Sequence, residues 1–104
     1  MIDKITLEIK IIEALQTVFD PEMPANIYDL GLVYNIDIKE DGYVNITMTL
    51  TAPGCPVAGE IIMDVDSKVR SIDGVKDVNV MLTFDPAWNR DMMTEEAKLE
   101  LGFL

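Results

Sequence analysis

Hydrophobic and polar residues follow two different periods along this chain. Apolar residues recur every three or four positions, which predicts amphipathic helices, in three segments: 7–19, 56–72 and 94–101. Thr6 stands where the first helix needs an N-cap. Pro21 is expected to end that helix, because the residue before a proline avoids helical backbone angles. Gly74 is expected to close the second helical segment, and Gly102 is placed as the stop of the third.

Strict alternation of apolar and polar side chains occupies three other segments: 32–39, 44–51 and 78–84. A period of two is that of a half-buried strand, so each segment predicts one strand. The sequence EDG at 40–42 separates the first two strands and predicts a hairpin turn. The apolar side of the third strand consists of Val78, Val80, Leu82 and Phe84. The predicted order of elements is therefore α-β-β-α-β-α.

This order predicts an α+β fold, a two-layer α/β sandwich in which a small mixed three-stranded sheet carries the helices on one face. The hairpin makes the first two strands antiparallel, and a helical crossover makes the third parallel to the second. The polar sheet face, which includes Thr49, is expected to face solvent, although Val33 and Met81 on that face would suit a homodimer. The chain shows no linker or repeat, so residues 1–104 are expected to form a single domain.

Charge and cysteine content narrow the classes of function. Eight Lys and Arg against 19 Asp and Glu give a net charge of −11, which argues against nucleic-acid binding. No stretch approaches the apolar length of a membrane span, and the N-terminus lacks the features of a signal peptide. One cysteine cannot form an internal disulfide, so a reducing, cytoplasmic location is expected.

All five prolines lie in three segments: 20–24, 53–56 and 85–88. In the predicted topology these segments adjoin the start of the first strand and the ends of the other two, which meet at one edge of the sheet. Residues far apart in sequence are therefore expected to share one site on rigid loops. The predicted members of this site are Asp20, Glu22, Cys55, Asp85 and Trp88.

Cys55 lies between Gly54 and Pro56. Pro56 suits the first position of a helix, which makes Cys55 the N-cap, where the helix dipole lowers the pKa of a thiol. The carboxylates expected nearby act in the opposite direction, and a cation or an iron–sulfur cluster on the thiolate would relieve that conflict. Cys55 is equally consistent with a small hydrophobic side chain buried in the core. Asp20 and Asp85 are equally consistent with residues that form turns. Trp88 is equally consistent with a side chain that packs at the edge of the core.

Three segments carry a resemblance to a known family: DPEMPANIYDLGLVY, MTLTAPGCPVAGEI and GVKDVNVMLTFDPAWNRDMM. Together they resemble the SufT-like iron–sulfur assembly family, also called the MIP-eighteen family. The resemblance implies a non-enzymatic accessory or carrier factor that matures iron–sulfur proteins in the cytoplasm. Its expected partners are iron–sulfur scaffold or carrier proteins and apo-target proteins. The resemblance also implies a reactive or cluster-contacting thiol at Cys55 and a surface motif formed by Asp20, Glu22, Thr51, Pro53, Gly54 and Pro56.

The single cysteine limits what chemistry the chain can perform. A cluster normally takes four protein ligands, so transient handling of a cluster or of iron is expected, with no tightly bound cofactor. One alternative is a thiol enzyme with Cys55 as nucleophile and a carboxylate as base. The absence of histidine weakens that hypothesis. Another alternative is a pure protein-interaction module in which the thiol plays no part.

Overall fold

A computed structural model describes residues 3–20, 25–51 and 58–102 of the chain. Its elements follow the predicted order, with a short 3₁₀ turn at Arg90–Met92 before the last helix. They are α1 (Lys4–Leu15), β1 (Val33–Ile38), β2 (Tyr43–Met48), α2 (Ala58–Arg70), β3 (Asp77–Leu82) and α3 (Glu95–Glu100). The predicted α+β fold with a three-stranded mixed sheet is therefore confirmed.

The sheet has the strand order β1-β2-β3. β1 pairs antiparallel with β2, with Ile36 opposite Ile46, and β3 pairs parallel with β2, with Val80 opposite Ile46. The predicted hairpin joins β1 to β2, and Gly42 adopts a φ of 92° there, a conformation that residues with a Cβ rarely take. The register shifts between Val33 and Asn35, which marks an irregularity at the start of β1.

The first helix differs from its prediction at both ends. It begins at Lys4, and its N-cap is Asp3, whose carboxylate accepts hydrogen bonds from the Ile5 and Thr6 backbone N–H groups. Thr6 is not the cap; its hydroxyl donates to the Asp3 carboxylate at 2.7 Å. This hydroxyl contact, followed by the bond from the Thr6 backbone, lowers the pKa of Asp3. The carboxylate is the stronger acceptor for the exposed N–H groups of the first turn.

The prediction that Pro21 ends α1 is wrong, because the helix ends at Leu15 with Gln16 as its C-cap. The chain then extends and pairs with the segment after residue 24: the Ile27 N–H donates to the Val18 carbonyl at 2.8 Å, and Phe19 forms a bridge with Asn26. Tertiary pairing thus uses the apolar residues that the pattern had assigned to the last helical turn.

The two other helices end close to their predicted positions. α2 ends at Arg70, two residues before the predicted Ile72, and Gly74 follows with a φ of 101°. The predicted start of α2 at Pro56 lies outside the described residues. α3 begins after Thr94, whose hydroxyl caps it by accepting from the Ala97 N–H at 3.1 Å.

The core lies between the sheet and the α1–α2 layer. Its fully buried members from the strands and helices include Ile11, Leu15, Val44, Ile46, Met48, Val65 and Val69. Two predicted core positions of the last strand are wrong: Leu82 is 40% exposed and Phe84, which lies beyond the end of β3, is 39% exposed. β3 is an edge strand, so these side chains have a neighbouring strand on one side only.

Candidate functional site

The register of the sheet brings three chain segments to one edge. Val33 at the start of β1 lies opposite Met48 at the end of β2, and Met48 lies opposite Leu82 at the end of β3. The Thr83 N–H also donates to the Met48 carbonyl at 2.9 Å, just past the end of β3. The segments that continue from β2 and β3, and the segment that leads into β1, therefore share this edge.

Two members of the predicted surface motif contact each other here. The Thr51 hydroxyl donates to Oδ2 of Asp20 at 3.4 Å. Asp20 is only 4% exposed, which is unusual for a carboxylate, and its backbone N–H donates to the Ala25 carbonyl at 3.4 Å. A buried carboxylate needs hydrogen bonds to offset its lost hydration, and Thr51 supplies one of them.

The remaining members of the motif fall outside the described residues: Glu22, Pro53, Gly54, Cys55 and Pro56. Glu22 belongs to residues 21–24, which follow Asp20, and Cys55 belongs to residues 52–57, which follow Thr51. The Asp20–Thr51 hydrogen bond therefore joins the two described residues from which these two segments continue. This contact is the geometric observation that bears most directly on a shared site.

Asp85 and Trp88 occupy the segment after β3. The Trp88 indole Nε1 donates to the Leu30 carbonyl at 2.6 Å, and its half-buried ring packs against the core. Asp85 is exposed, and its backbone N–H donates to the Thr83 hydroxyl at 3.2 Å. The Asp85–Pro86 peptide is cis, and the Pro86 carbonyl accepts a 2.7 Å hydrogen bond from the Tyr34 hydroxyl. Trp88 thus anchors its own segment, while the participation of either residue in a shared site stays a prediction.

Thr49 was missed by sequence reasoning, which placed it on the solvent face. It is fully buried, and its backbone N–H donates to the Leu32 carbonyl at 2.8 Å. Its hydroxyl has no hydrogen-bond partner within the described part of the chain. Strand alternation correctly assigns the two faces of β2, but the register shift at the start of β1 turns Val33, which was predicted on the polar face, against the core. Alternation also carries no information on which stretch of the polar face another segment covers.

The strongest charge interactions lie away from this edge. Arg70 binds both Asp66 and Asp77, and these hydrogen bonds, that to Asp66 first, raise the pKa of its guanidinium. In return the Arg70 hydrogen bond lowers the pKa of Asp77. Asp77 begins β3 and pairs with Tyr43 at the hairpin end of the sheet, so this cluster serves the fold.

Residues 3–20, 25–51 and 58–102 contain no group of three or more potential ligands placed to hold a metal ion. Over the same ranges, no helix combines the length and the apolar character that crossing a membrane requires.

Comparison with known proteins assigns the family. The sequence profile described as iron-sulfur cluster assembly protein matches residues 8–82, which is most of the chain and includes the positions of Asp20, Thr51 and Cys55. The chain belongs to the iron-sulfur cluster assembly protein family. The family predicted from the three quoted segments is confirmed, whereas Asp85 and Trp88 lie beyond the matched residues.

Two relatives of this iron-sulfur cluster assembly family protein match it over nearly their whole length. The chain is 63% identical over 94 residues to an Fe-S protein maturation auxiliary factor of Porphyromonas gingivalis, covering 90% of each chain. It is 45% identical over 96 residues to the Fe-S protein maturation auxiliary factor YitW of Bacillus subtilis, covering 92% of this chain and 94% of that one.

A solved structure supports the fold independently. The crystal structure of a domain of unknown function from Bacillus anthracis, at 36% identity, superimposes with a TM-score of 0.88. The match covers 95% of this chain and 94% of that one, so the fold of the family extends over nearly the whole sequence.

Proposed function

We propose that this protein is a non-enzymatic accessory factor in the maturation of iron–sulfur proteins. The identity of 63% with a maturation auxiliary factor, spread over 90% of both chains, is the observation that carries this proposal. The curated relatives named here are described as maturation factors, and the family profile is described as an iron–sulfur cluster assembly protein. We also propose that residues 1–104 form a single domain and that the protein acts in the cytoplasm.

Cys55 is the group proposed to meet the iron or cluster. The hydrogen bond from Thr51 to the buried Asp20 carboxylate supports this role, because it joins the two described residues that precede residues 21–24 and 52–57. Asp20, Glu22, Thr51, Pro53, Gly54 and Pro56 then form the surface around the thiol. A functional site needs its supporting residues held in place by such contacts.

The chemistry proposed is ligand exchange at iron. One thiolate cannot hold a cluster that normally takes four protein ligands, so the cluster or iron is cargo that passes through the site. Cys55 as thiolate would displace one thiolate from an iron atom of a scaffold-bound cluster, and the displaced thiolate would take up a proton. The exchange leaves the oxidation states unchanged and needs no reductant.

The partners proposed are an iron–sulfur scaffold or carrier protein as donor and an apo-target protein as acceptor. Each supplies the ligands that this chain lacks, which is consistent with its single cysteine. The thiol-enzyme alternative has no described residue in its favour, since the chain contains no histidine to activate a nucleophile.

The decisive experiment compares Cys55→Ser with wild type in a strain that lacks the chromosomal copy. We expect the activity of a cluster-dependent dehydratase to fall under iron limitation to the level of the deletion strain, while an immunoblot shows unchanged abundance. Serine is at least as good an N-cap as cysteine, so fold loss is not expected. Full dehydratase activity in the Cys55→Ser strain, beside a defective deletion strain, would remove Cys55 from the mechanism.

Anaerobic reconstitution tests the nature of the cargo. Purified wild-type protein is mixed with a cluster-loaded scaffold protein, and iron and sulfide are measured on each protein after separation. We expect only substoichiometric cargo on this chain and faster transfer to an apo-target in its presence. Turnover of a small thiol-reactive substrate without any effect on transfer would favour the thiol-enzyme alternative.

A further inference from the structure

A cleft of about 280 Å³ lies between the segment that follows α1 and the first turns of α2. Its lining residues are Val18, Phe19, Glu60, Ile61 and Asp64. We call it the Phe19 cleft. None of these residues belongs to the predicted surface motif.

The Phe19 cleft combines three apolar lining residues with two carboxylates. Val18 and Ile61 are 1% and 4% exposed and form its floor, whereas Phe19 is 58% exposed. Phe19 is one of several exposed large apolar side chains, and it is the one among them that lines this cleft. Its position is held by the backbone, since Phe19 bridges Asn26.

Lys68 connects the two chain segments that form the cleft. Its Nζ donates to the Thr17 carbonyl at 3.1 Å and forms an ion pair with Asp64 at 3.5 Å. The Thr17 contact joins the segment that carries Phe19 to α2. The cleft is therefore formed by the fold itself and does not depend on a ligand to assemble it.

The charge of the cleft is acidic. Asp64 is partly balanced by Lys68. Glu60 is exposed and has no ion pair with any residue in the described parts of the chain. The protein as a whole carries a net charge of −11. A cationic occupant complements Glu60, whereas a second copy of this acidic chain is disfavoured by repulsion.

We propose that the Phe19 cleft docks an apolar segment of a partner protein that carries an arginine or lysine. The aliphatic part of that segment packs against the exposed Phe19 side chain. Its cation lies over the Phe19 ring and is balanced by Glu60, which combines a cation–π contact with an ion pair.

The Phe19 cleft lies close in sequence to both segments that carry the predicted surface motif. Phe19 immediately precedes Asp20, and Glu60 lies in the first turn of α2, which follows residues 52–57. A segment held in the cleft therefore lies next to Asp20, the described residue from which residues 21–24 continue, and next to the start of α2. This identification of the partner as a cluster donor or acceptor rests on the proposed function, whereas the chemistry of the cleft does not.

Peptide titration followed by amide NMR tests the proposal. The probe is the peptide acetyl-Gly-Leu-Arg-Leu-Arg-Gly-amide added to ¹⁵N-labelled full-length protein, with a matched peptide in which glutamate replaces arginine. We expect the arginine peptide to shift the amide signals of Phe19, Glu60, Ile61 and Asp64, and the glutamate peptide to leave them unchanged. Equal shifts with both peptides, or shifts confined to other surfaces, would overturn it.

Matched variants separate local from general effects. Loss of the cation–π contact in Phe19→Ala should weaken binding of the arginine peptide by about two- to fivefold. Glu60→Gln should weaken it as well. The controls are Ile9→Ala, which removes another exposed apolar side chain, and Glu40→Gln, which makes the same charge change at the hairpin end. Equal weakening in the controls would overturn the proposal, and so would a Phe19-dependent dimer in sedimentation.

Failure of this proposal can be distinguished from failure of the proposed function. Cys55→Ser should bind the arginine peptide as wild type does and yet fail in maturation. Phe19→Ala should mature iron–sulfur enzymes poorly although it keeps its thiol. A deletion strain with normal iron–sulfur enzymes would remove the proposed function while peptide binding at the cleft still stands. Normal maturation by Phe19→Ala in a strain that needs the protein would remove the docking role.

Discussion

The Thr51 hydroxyl donates to the buried carboxylate of Asp20 across a separation of 31 residues, with 3.4 Å between the two oxygens. Each of these residues begins one of the segments that carry the remaining surface motif. The bond therefore fixes the two described residues from which these segments continue, which is how local packing bears on the proposed chemistry.

Thr51→Val should test this link. Valine keeps the shape and removes the donor, so we expect the free energy of unfolding to fall by about 1 kcal/mol. Maturation activity should fall further than this loss of stability explains, since the two motif segments lose a common anchor. Urea unfolding and the dehydratase assay measure the two effects. Thr47→Val, on the polar face of β2, is the control, and an equal effect there would contradict the prediction.

Thr49→Val should behave in the opposite way. The Thr49 hydroxyl is buried and has no partner in the described ranges, so its removal relieves an unmet hydrogen-bonding requirement. We expect thermal unfolding to require a higher temperature, with a gain of roughly 1 kcal/mol. A clear loss of stability would mean that this hydroxyl satisfies a group or a water that the described contacts omit.

Gly31→Ala should be strongly destabilising. Gly31 adopts a φ of 80°, and a Cβ there would lie 2.8 Å from the Met92 carbonyl carbon, which is backbone and cannot move aside alone. We expect a loss of more than about 2 kcal/mol, measured by chemical unfolding. Gly102→Ala is the matched control, because Gly102 shares the φ of 80° but has no atom within 4 Å of an added Cβ. Similar losses at both positions would show that backbone conformation alone sets the cost.

The Asp3 cap should give α1 a pH-dependent stability. Its pKa is lowered from 3.8, mainly by the Thr6 hydroxyl, so the folded state prefers the charged form. The stabilisation is thus present above the unfolded pKa and is lost as the pH falls through the lower folded value. We expect Asp3→Ala to lower the unfolding temperature at pH 7 and to approach wild type below about pH 3. Asp3→Asn should keep much of the cap but lose the pH dependence. A constant difference between Asp3→Ala and wild type across this range would contradict the prediction.

Much of the fold followed from local pattern. The alternation of Val44, Ile46 and Met48 with polar residues correctly assigned the two faces of β2, because neighbouring side chains on a strand point to opposite sides whatever surrounds them. The hairpin at 40–42 followed from a glycine at the position that needs a positive φ. The element order then limited the connections so far that the shared edge of the three strand ends could be predicted.

The candidate site was predictable only as a neighbourhood. Topology placed the proline-containing segments at one edge, but it could not say that Thr51 reaches Asp20 or that the Trp88 indole turns to Leu30. Those contacts depend on side-chain rotamers and on how deeply each segment packs. The Phe19 cleft was not predicted for a different reason. The pattern places Phe19 in the first helix, whereas that helix ends at Leu15.

By itself the sequence determined the type and order of the elements, the acidic surface, the single thiol and the family. These depend on composition and on spacings of a few residues, which the chain carries wherever it folds. The tertiary structure alone decided where α1 ends, that Thr49 is buried, that Leu82 and Phe84 are exposed, and that Thr51 meets Asp20. Burial and pairing are properties of two chain segments at once, so no pattern within either segment can specify them.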